Sequence, residues 1–206
     1  MVTTDWIETE ASFFRLALSP EHLAKVQIYL DLLTKWNRKV NLTSIHNEED
    51  AIRLHFLESF FAAEQLPSGN VRVVDVGSGA GFPGLAMKIV RPAFRLVSID
   101  SRKKKILFQR EVARRLDLLH VGIYPLRLVE SAPFLQQADV VCWRGLKLEP
   151  KDFNFLKANT SPACLYLCFQ GAGERTEKTL EGCDIQRIPI PRSENRTLLL
   201  ARKTKR

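Results

Sequence analysis

The sequence predicts an α/β fold with a mainly parallel sheet, an antiparallel edge and an N-terminal helical extension. Three observations predict it. From Val71 onward short apolar runs alternate with helical patterns, as in strands joined by helical crossovers. The first 65 residues carry helical spacing and no strand pattern. The last two apolar runs, Ile185–Pro189 and Thr197–Ala201, follow one another with no helical pattern between them. A chain of 206 residues fits one domain with a small appendage and can bury a core without disulfides or metal. Its 45% hydrophobic and 26% charged content excludes disorder, collagen-like repeats and coiled-coil rods.

The elements follow in order. Ser19-Pro20-Glu21 reads as a helix start, with a Ser cap, Pro in the first turn and an acid after it. Leu23, Val26, Leu30, Leu33 and Trp36 then recur at steps of three and four and form one buried face. Asn41 to Ser44 breaks the pattern. A second helix covers Glu48–Gln65, with Ile52, Phe56, Leu57, Phe60 and Phe61 inward. Pro67-Ser68-Gly69-Asn70 is the strongest boundary in the chain, dividing residues 1–68 from 69–206. Strands are expected at Val71–Val76, Phe94–Ile99, His120–Tyr124, Asp139–Trp143 and Ala163–Phe169, and helices at Pro83–Val90 and Arg102–Leu118.

No run of 18 or more apolar residues occurs, so no membrane span is expected. Met1–Glu10 carries Asp5, Glu8 and Glu10 and no apolar stretch, which predicts no leader and a cytoplasmic protein. Cys142, Cys164, Cys168 and Cys183 read as reduced thiols, mostly buried, and their spacing predicts no metal site. The net charge of +8 is concentrated: Asp100–Arg115 and Arg192–Arg206 each carry +5. Clustered cations point to a polyanionic partner, and if both segments share one face they form an RNA platform.

The stretch from Val73 to Gly84 holds the most chemistry. An apolar strand ends at Asp75 and runs into Gly77, Gly79 and Gly81. Glycines there let the backbone turn sharply and let a ligand approach where a Cβ would clash. Gly79-x-Gly81-x-x-Gly84 with Asp100 21 residues beyond Gly79 matches a dinucleotide fingerprint, so a nicotinamide cofactor stays open. Asp75-x-Gly77-x-Gly79 is also similar to motif I of class I S-adenosylmethionine-dependent methyltransferases, which have a Rossmann-like fold. In that reading Asp100 accepts from the two ribose hydroxyls.

Further segments make the resemblance specific. Trp36-Asn37-Arg38-Lys39-Val40-Asn41-Leu42-Thr43 resembles the W-N-x-x-x-N-L-T signature of the ribosomal RNA small-subunit methyltransferase G family, also called glucose-inhibited division protein B. His55 to Ser59 is similar to its H-F-x-D/E-S motif, and Asp75 to Gly84 to its cofactor loop. Asp100-Ser101 with Lys104, Lys105 and Phe108 is similar to its D-S-x-x-K-R-x-x-F segment, and Arg196 to Leu200 to its closing strand. The resemblance implies methyl transfer from S-adenosylmethionine to N7 of a guanine in 16S ribosomal RNA, with that RNA or the small subunit as partner. A cytoplasmic protein, monomeric or weakly associated, is expected. It implies a cofactor site of Asp75, Gly77, Gly79, Phe82, Asp100, Val129, Glu130 and Arg144. Val129-Glu130 lies beside the adenine, and Arg144 is the active-site arginine, which orients the reaction. Residues 1–68 are then a helical extension and 69–206 the methyltransferase domain, packed as one unit.

N7 of guanine carries a lone pair and no proton, so no catalytic base is expected. The departures from the family pattern gather at the active site. Trp143 replaces a small residue and Gln170 a lysine. They leave open a methyltransferase of another RNA or of a small molecule, and an inactive relative that keeps its cofactor. Trp143 could stack on a base or line the cofactor pocket, and His55 reads as a structural hydrogen-bonder.

Overall fold

The computed structural model describes residues 2–45, 47–171, 173 and 176–204. Its helices are α1 (Thr4–Phe13), α2 (Pro20–Val40), α3 (Glu48–Asp50), α4 (Glu58–Ala63), α5 (Gly84–Val90), α6 (Lys103–Arg115), α7 (Ala132–Leu135), α8 (Pro150–Asn159) and α9 (Thr176–Thr179). Its strands are β1 (Arg72–Val76), β2 (Arg95–Ile99), β3 (Val121–Tyr124), β4 (Val140–Trp143), β5 (Leu165–Gln170), β6 (Cys183–Pro189) and β7 (Thr197–Lys203). They form one sheet in the order β3-β2-β1-β4-β5-β7-β6. The first five are parallel, and β7 pairs antiparallel with both β5 and β6. The predicted fold class is therefore observed.

The strand order reverses between β1 and β4. Crossovers leave β1 toward β2 on one side and reach β4 on the other, so a crevice opens at the carboxyl ends of these strands. Side chains alternate across the sheet and build two cores. One face packs Val73, Leu96, Cys142, Leu167 and Phe169 under α1, α2, α4 and α5. The other packs Val74, Val141, Trp143, Tyr166 and Cys168 under α7 and α8.

The N-terminal helices are set by their caps. Ser19 and His22 form a capping box ahead of Pro20, and α2 buries Leu23, Val26, Tyr29, Leu30 and Leu33. It stops at Asn41, whose φ of 51° is left-handed. Between α3 and α4 the chain continues as a π-helical stretch, Ala51–Leu57, which the apolar spacing did not predict. The wider turn lets six consecutive residues, His55 to Phe60, sit buried. Arg91 at the end of α5 donates to the carbonyls of Ala63, Leu66 and Pro67, tying the helical segment to the sheet at the Pro67–Asn70 boundary. No described helix is long and apolar enough to cross a membrane.

A candidate active site at the carboxyl ends of the central strands

Asp75 lies on β1, one residue before its carboxyl end, and is fully buried. Its Oδ2 accepts from Gly84 N at 2.8 Å, which closes the loop between β1 and α5. Its Oδ1 is buried with no partner among the described residues. Burial pushes this carboxyl up to about 7, against the pull of the Gly84 amide, and the charge of Asp100 adds to the rise. Gly77, Gly79 and Gly81 take φ of +67°, +59° and +89°, a region that favours glycine. A Cβ on Gly77 would stand 2.8 Å from the Leu146 side chain, and one on Gly81 would stand 2.4 Å from the Tyr29 hydroxyl.

The loop is held from three sides. Ser78 N donates to Ile99 O at 3.0 Å, and Gly79 N to Asp100 Oδ2 at 3.0 Å. Gln109 of α6 donates from Nε2 to Ser78 Oγ at 2.8 Å and Gly79 O at 2.9 Å, while its Oε1 accepts from Ser98 Oγ at 2.6 Å. The Tyr29 hydroxyl of α2 donates to Ala80 O at 2.6 Å. Phe82 stacks near-parallel with two rings, Tyr29 with centroids 5.1 Å apart and His55 at 4.5 Å. These contacts anchor the loop against the N-terminal helices. Tyr29 and Gln109 were missed in the sequence: one looks like any residue on a buried helical face, and the other carries no motif.

Asp100 follows β2 and is 4% exposed. Its Oδ1 accepts from Arg102 N at 2.8 Å, and the Arg102 guanidinium reaches both oxygens, at 3.2 and 3.3 Å. The Arg102 side chain is 63% exposed, so this pair is screened and free to exchange. Beyond β3, Leu128–Glu130 forms a 3-10 turn in which Glu130 accepts from Arg127 N at 2.7 Å. Val129 there is 64% exposed. The structure thus brings Asp75, on β1 itself, and Gly77, Gly79, Phe82, Asp100, Val129, Glu130 and Arg144, on the segments after β1, β2, β3 and β4, to the carboxyl-end side of the sheet.

Arg144 follows β4 and enters a buried ionic cluster. Its Nη2 lies 3.0 Å from Glu58 Oε2, and its Cζ stands 5.0 Å above the Phe169 ring. The same carboxylate takes Arg196, whose Nη2 donates at 2.9 Å and whose Nε lies 2.9 Å from Oε1, off the line of a hydrogen bond. Burial brings the Arg144 guanidinium down to about 10, and burial raises the Glu58 carboxyl while both guanidiniums oppose that. Burial first, then Arg144 and Arg196, hold His55 down to about 3, so its imidazole is neutral. Glu58 and Arg196 stood inside recognised motifs, but nothing in the sequence linked them to Arg144. The ion triad unites the helical segment, the loop after β4 and the start of β7.

One expectation needs correction. Trp143 is 2% exposed and packs toward Phe153 in the second core, so it offers no face for base stacking. Its indole also borders a cleft of about 470 Å³ with Leu146, Leu148, Phe169 and Thr176. The described cations of 192–206 are each engaged by the chain itself. Arg192 pairs with Glu10, Arg196 with Glu58, Arg202 donates to Ala163 O, and Lys203 to Lys157 O and Thr160 O. Lys205 and Arg206 lie outside the described residues. In α6, Lys105 is buried and donates to Leu42 O, so Arg102, Lys103 and Lys104 are the exposed cations at its start.

Comparison with known proteins agrees with this arrangement. The family described as rRNA small subunit methyltransferase G matches residues 22–186. A Ribosomal RNA small subunit methyltransferase G from Dictyoglomus thermophilum is 36% identical over 144 residues, which is 68% of this chain and 60% of that protein. One from Syntrophotalea carbinolica is 48% identical over 90 residues, covering 44% of this chain and 41% of that protein. The chain thus spans about 40–60% of the length of these curated relatives. Among solved structures, a SAM dependent methyltransferase from Aquifex aeolicus superposes with a TM-score of 0.59 at 15% identity, over 74% of this chain and 92% of that one. A precorrin-6y C5,15-methyltransferase from Geobacter metallireducens also gives 0.59, at 13% identity, over 71% of this chain and 87% of that one. These likenesses show a shared fold, and the family match supplies the rest: this chain belongs to the rRNA small subunit methyltransferase G family.

Proposed function

We propose that the protein transfers the methyl group of S-adenosylmethionine to N7 of a guanine in 16S ribosomal RNA of the small subunit. The observation that carries this reading is the family match over residues 22–186, which spans both the glycine loop and the Glu58–Arg144 pair. The residues fit the cofactor. Gly77 and Gly79 turn the loop at positive φ, and Asp100 sits across it, its Oδ2 accepting from Gly79 N.

When bound, S-adenosylmethionine supplies an electrophilic methyl group, and its sulfur keeps the electron pair of the broken C–S bond. The chain's residues bind and orient. Asp100 would hold the ribose hydroxyls, in place of the exposed Arg102 guanidinium it now pairs with. Val129 and Glu130 would flank the adenine. Asp75 holds the loop through Gly84, and the Phe82 ring fixes it against α2 and His55. Arg144 orients the reacting groups. N7 already has a free lone pair, so no residue has to remove a proton. Orientation and exclusion of water can supply about 7–11 kcal/mol of the barrier. Residues 1–68 act as a helical extension packed on the 69–206 methyltransferase domain, and the protein works as a cytoplasmic monomer.

Two measurements test this reading. Calorimetry should show S-adenosylmethionine binding and no NADH binding. Labelled methyl from the cofactor should enter small-subunit RNA and not a metabolite extract. Label in the metabolites alone would overturn the RNA substrate, and NADH binding would overturn the cofactor.

A further inference from the structure

The buried polar atoms with no hydrogen-bond partner among the described residues include Arg144 Nη1, His55 Nδ1 and Arg196 Nε; the last already lies 2.9 Å from Glu58 Oε1, which leaves Arg144 Nη1 and His55 Nδ1 to account for. Such orphans are rare in folded proteins and call for a reason. Arg144 always carries hydrogens on Nη1. His55 Nε2 lies 2.9 Å from Thr43 Oγ1, which accepts from Ile45 N at 3.1 Å and keeps one proton to donate. With that proton on the Nε2 side, the imidazole proton sits on Nδ1 and both orphans are N–H donors.

They share one place. His55 and Glu58 are three residues apart, and Arg144 pairs with Glu58 at 3.0 Å. Arg144 follows β4, two strands from β2 and Asp100, which is about 10 Å across the sheet edge. If the ribose is held at Asp100, Arg144 lies on the β4 side of the crevice, away from the ribose end. On the edge of guanine that carries N7, the neighbouring group is the O6 acceptor, whereas adenine presents an amino donor there. Resting on the function proposed above, we propose that Arg144 Nη1–H and His55 Nδ1–H donate to O6 of the target guanine, selecting guanine and setting N7 in line. A neutral carbonyl suits the place better than a carboxylate, because a Glu58 oxygen already holds the same guanidinium.

The test replaces the mapped target guanine by 2-aminopurine, which keeps N7 and lacks O6, in reconstituted small subunits. Wild type should lose ~100-fold or more in kcat/KM on the analogue. Arg144→Met and His55→Phe, the second keeping a ring on Phe82, should bring the two substrates to within a few fold of each other. Binding of both RNAs in the presence of S-adenosylhomocysteine should show the same collapse without turnover. A misfolded variant lowers both substrates alike, so the ratio reports the donors. Equal use of both bases by wild type overturns this inference alone, as does an unchanged ratio in His55→Phe. So does a loss of selectivity against a decarboxylated cofactor in the variants, which would assign the donors to the cofactor carboxylate. No transfer to guanine by wild type overturns the functional reading and this inference together.

Discussion

Glu58→Gln tests the ionic cluster that joins three parts of the chain. The carboxylate is 2% exposed and faces two guanidiniums, Arg144 at 3.0 Å and Arg196 at 2.9 Å. Glutamine keeps the shape, removes the charge and turns one acceptor oxygen into a donor pointing at a guanidinium. Each hydrogen bond to a charged group contributes ~1.5–3 kcal/mol, and breaking a buried ion pair costs ~3–5 kcal/mol. Arg196 keeps 28% of its side chain in solvent, which screens its share, so the lower end applies: about 3 kcal/mol. At a urea slope of ~2–3 kcal/mol/M the unfolding midpoint should fall by about 1 M or more. Combined with Arg144→Met, the loss should be well short of the sum of the two single losses, because the second change removes one of the guanidiniums that the first leaves unpaired. A drop under about 1 kcal/mol, or strict additivity, would refute the reasoning that this triad is a coupled unit.

Three other outcomes are expected. Gly81→Ala puts a Cβ 2.4 Å from the Tyr29 hydroxyl at a φ of +89°, so unfolding should show a loss of ~2 kcal/mol or more, with weaker cofactor binding. Asp100→Ala should weaken S-adenosylmethionine binding by calorimetry about tenfold or more, because two hydroxyl donors lose their acceptor. His55→Gln should change how stability responds to acid. His55 is held down to about 3 from 6.5, so its contribution is present above pH 6.5 and is lost as pH falls toward 3, at up to ~1.4 kcal/mol per pH unit. Asp75, raised to about 7 from 3.8, runs the other way: its contribution is present below pH 3.8 and lost as pH rises through 7. The two oppose each other in wild type between these limits, so urea midpoints for His55→Gln should fall less on acidification; parallel curves for variant and wild type would refute this.

The alternation after Val71 showed the sheet because each buried strand is an apolar run long enough to stand out. The glycine loop was equally legible, since positive φ at Gly77, Gly79 and Gly81 demands that residue type. What stayed hidden depends on contacts between distant segments. Tyr29 reaches Ala80 across 51 positions, and Arg196 reaches Glu58 across 138. No local pattern encodes such pairs. The π-helical turn at Ala51–Leu57 leaves the apolar spacing close to helical, and α8 has too weak an apolar stripe to be seen among loop residues. In the basic 192–206 segment composition counts cations without showing which of them the chain itself engages.

The most direct test is nucleoside mass spectrometry with site mapping of 7-methylguanosine in small-subunit RNA, using subunits from cells lacking the enzyme, treated with purified protein and S-adenosylmethionine. One guanine should become methylated at N7, and Asp100→Ala should greatly slow it. Cofactor binding with no 7-methylguanosine formed, or methyl label at another atom, would contradict the account.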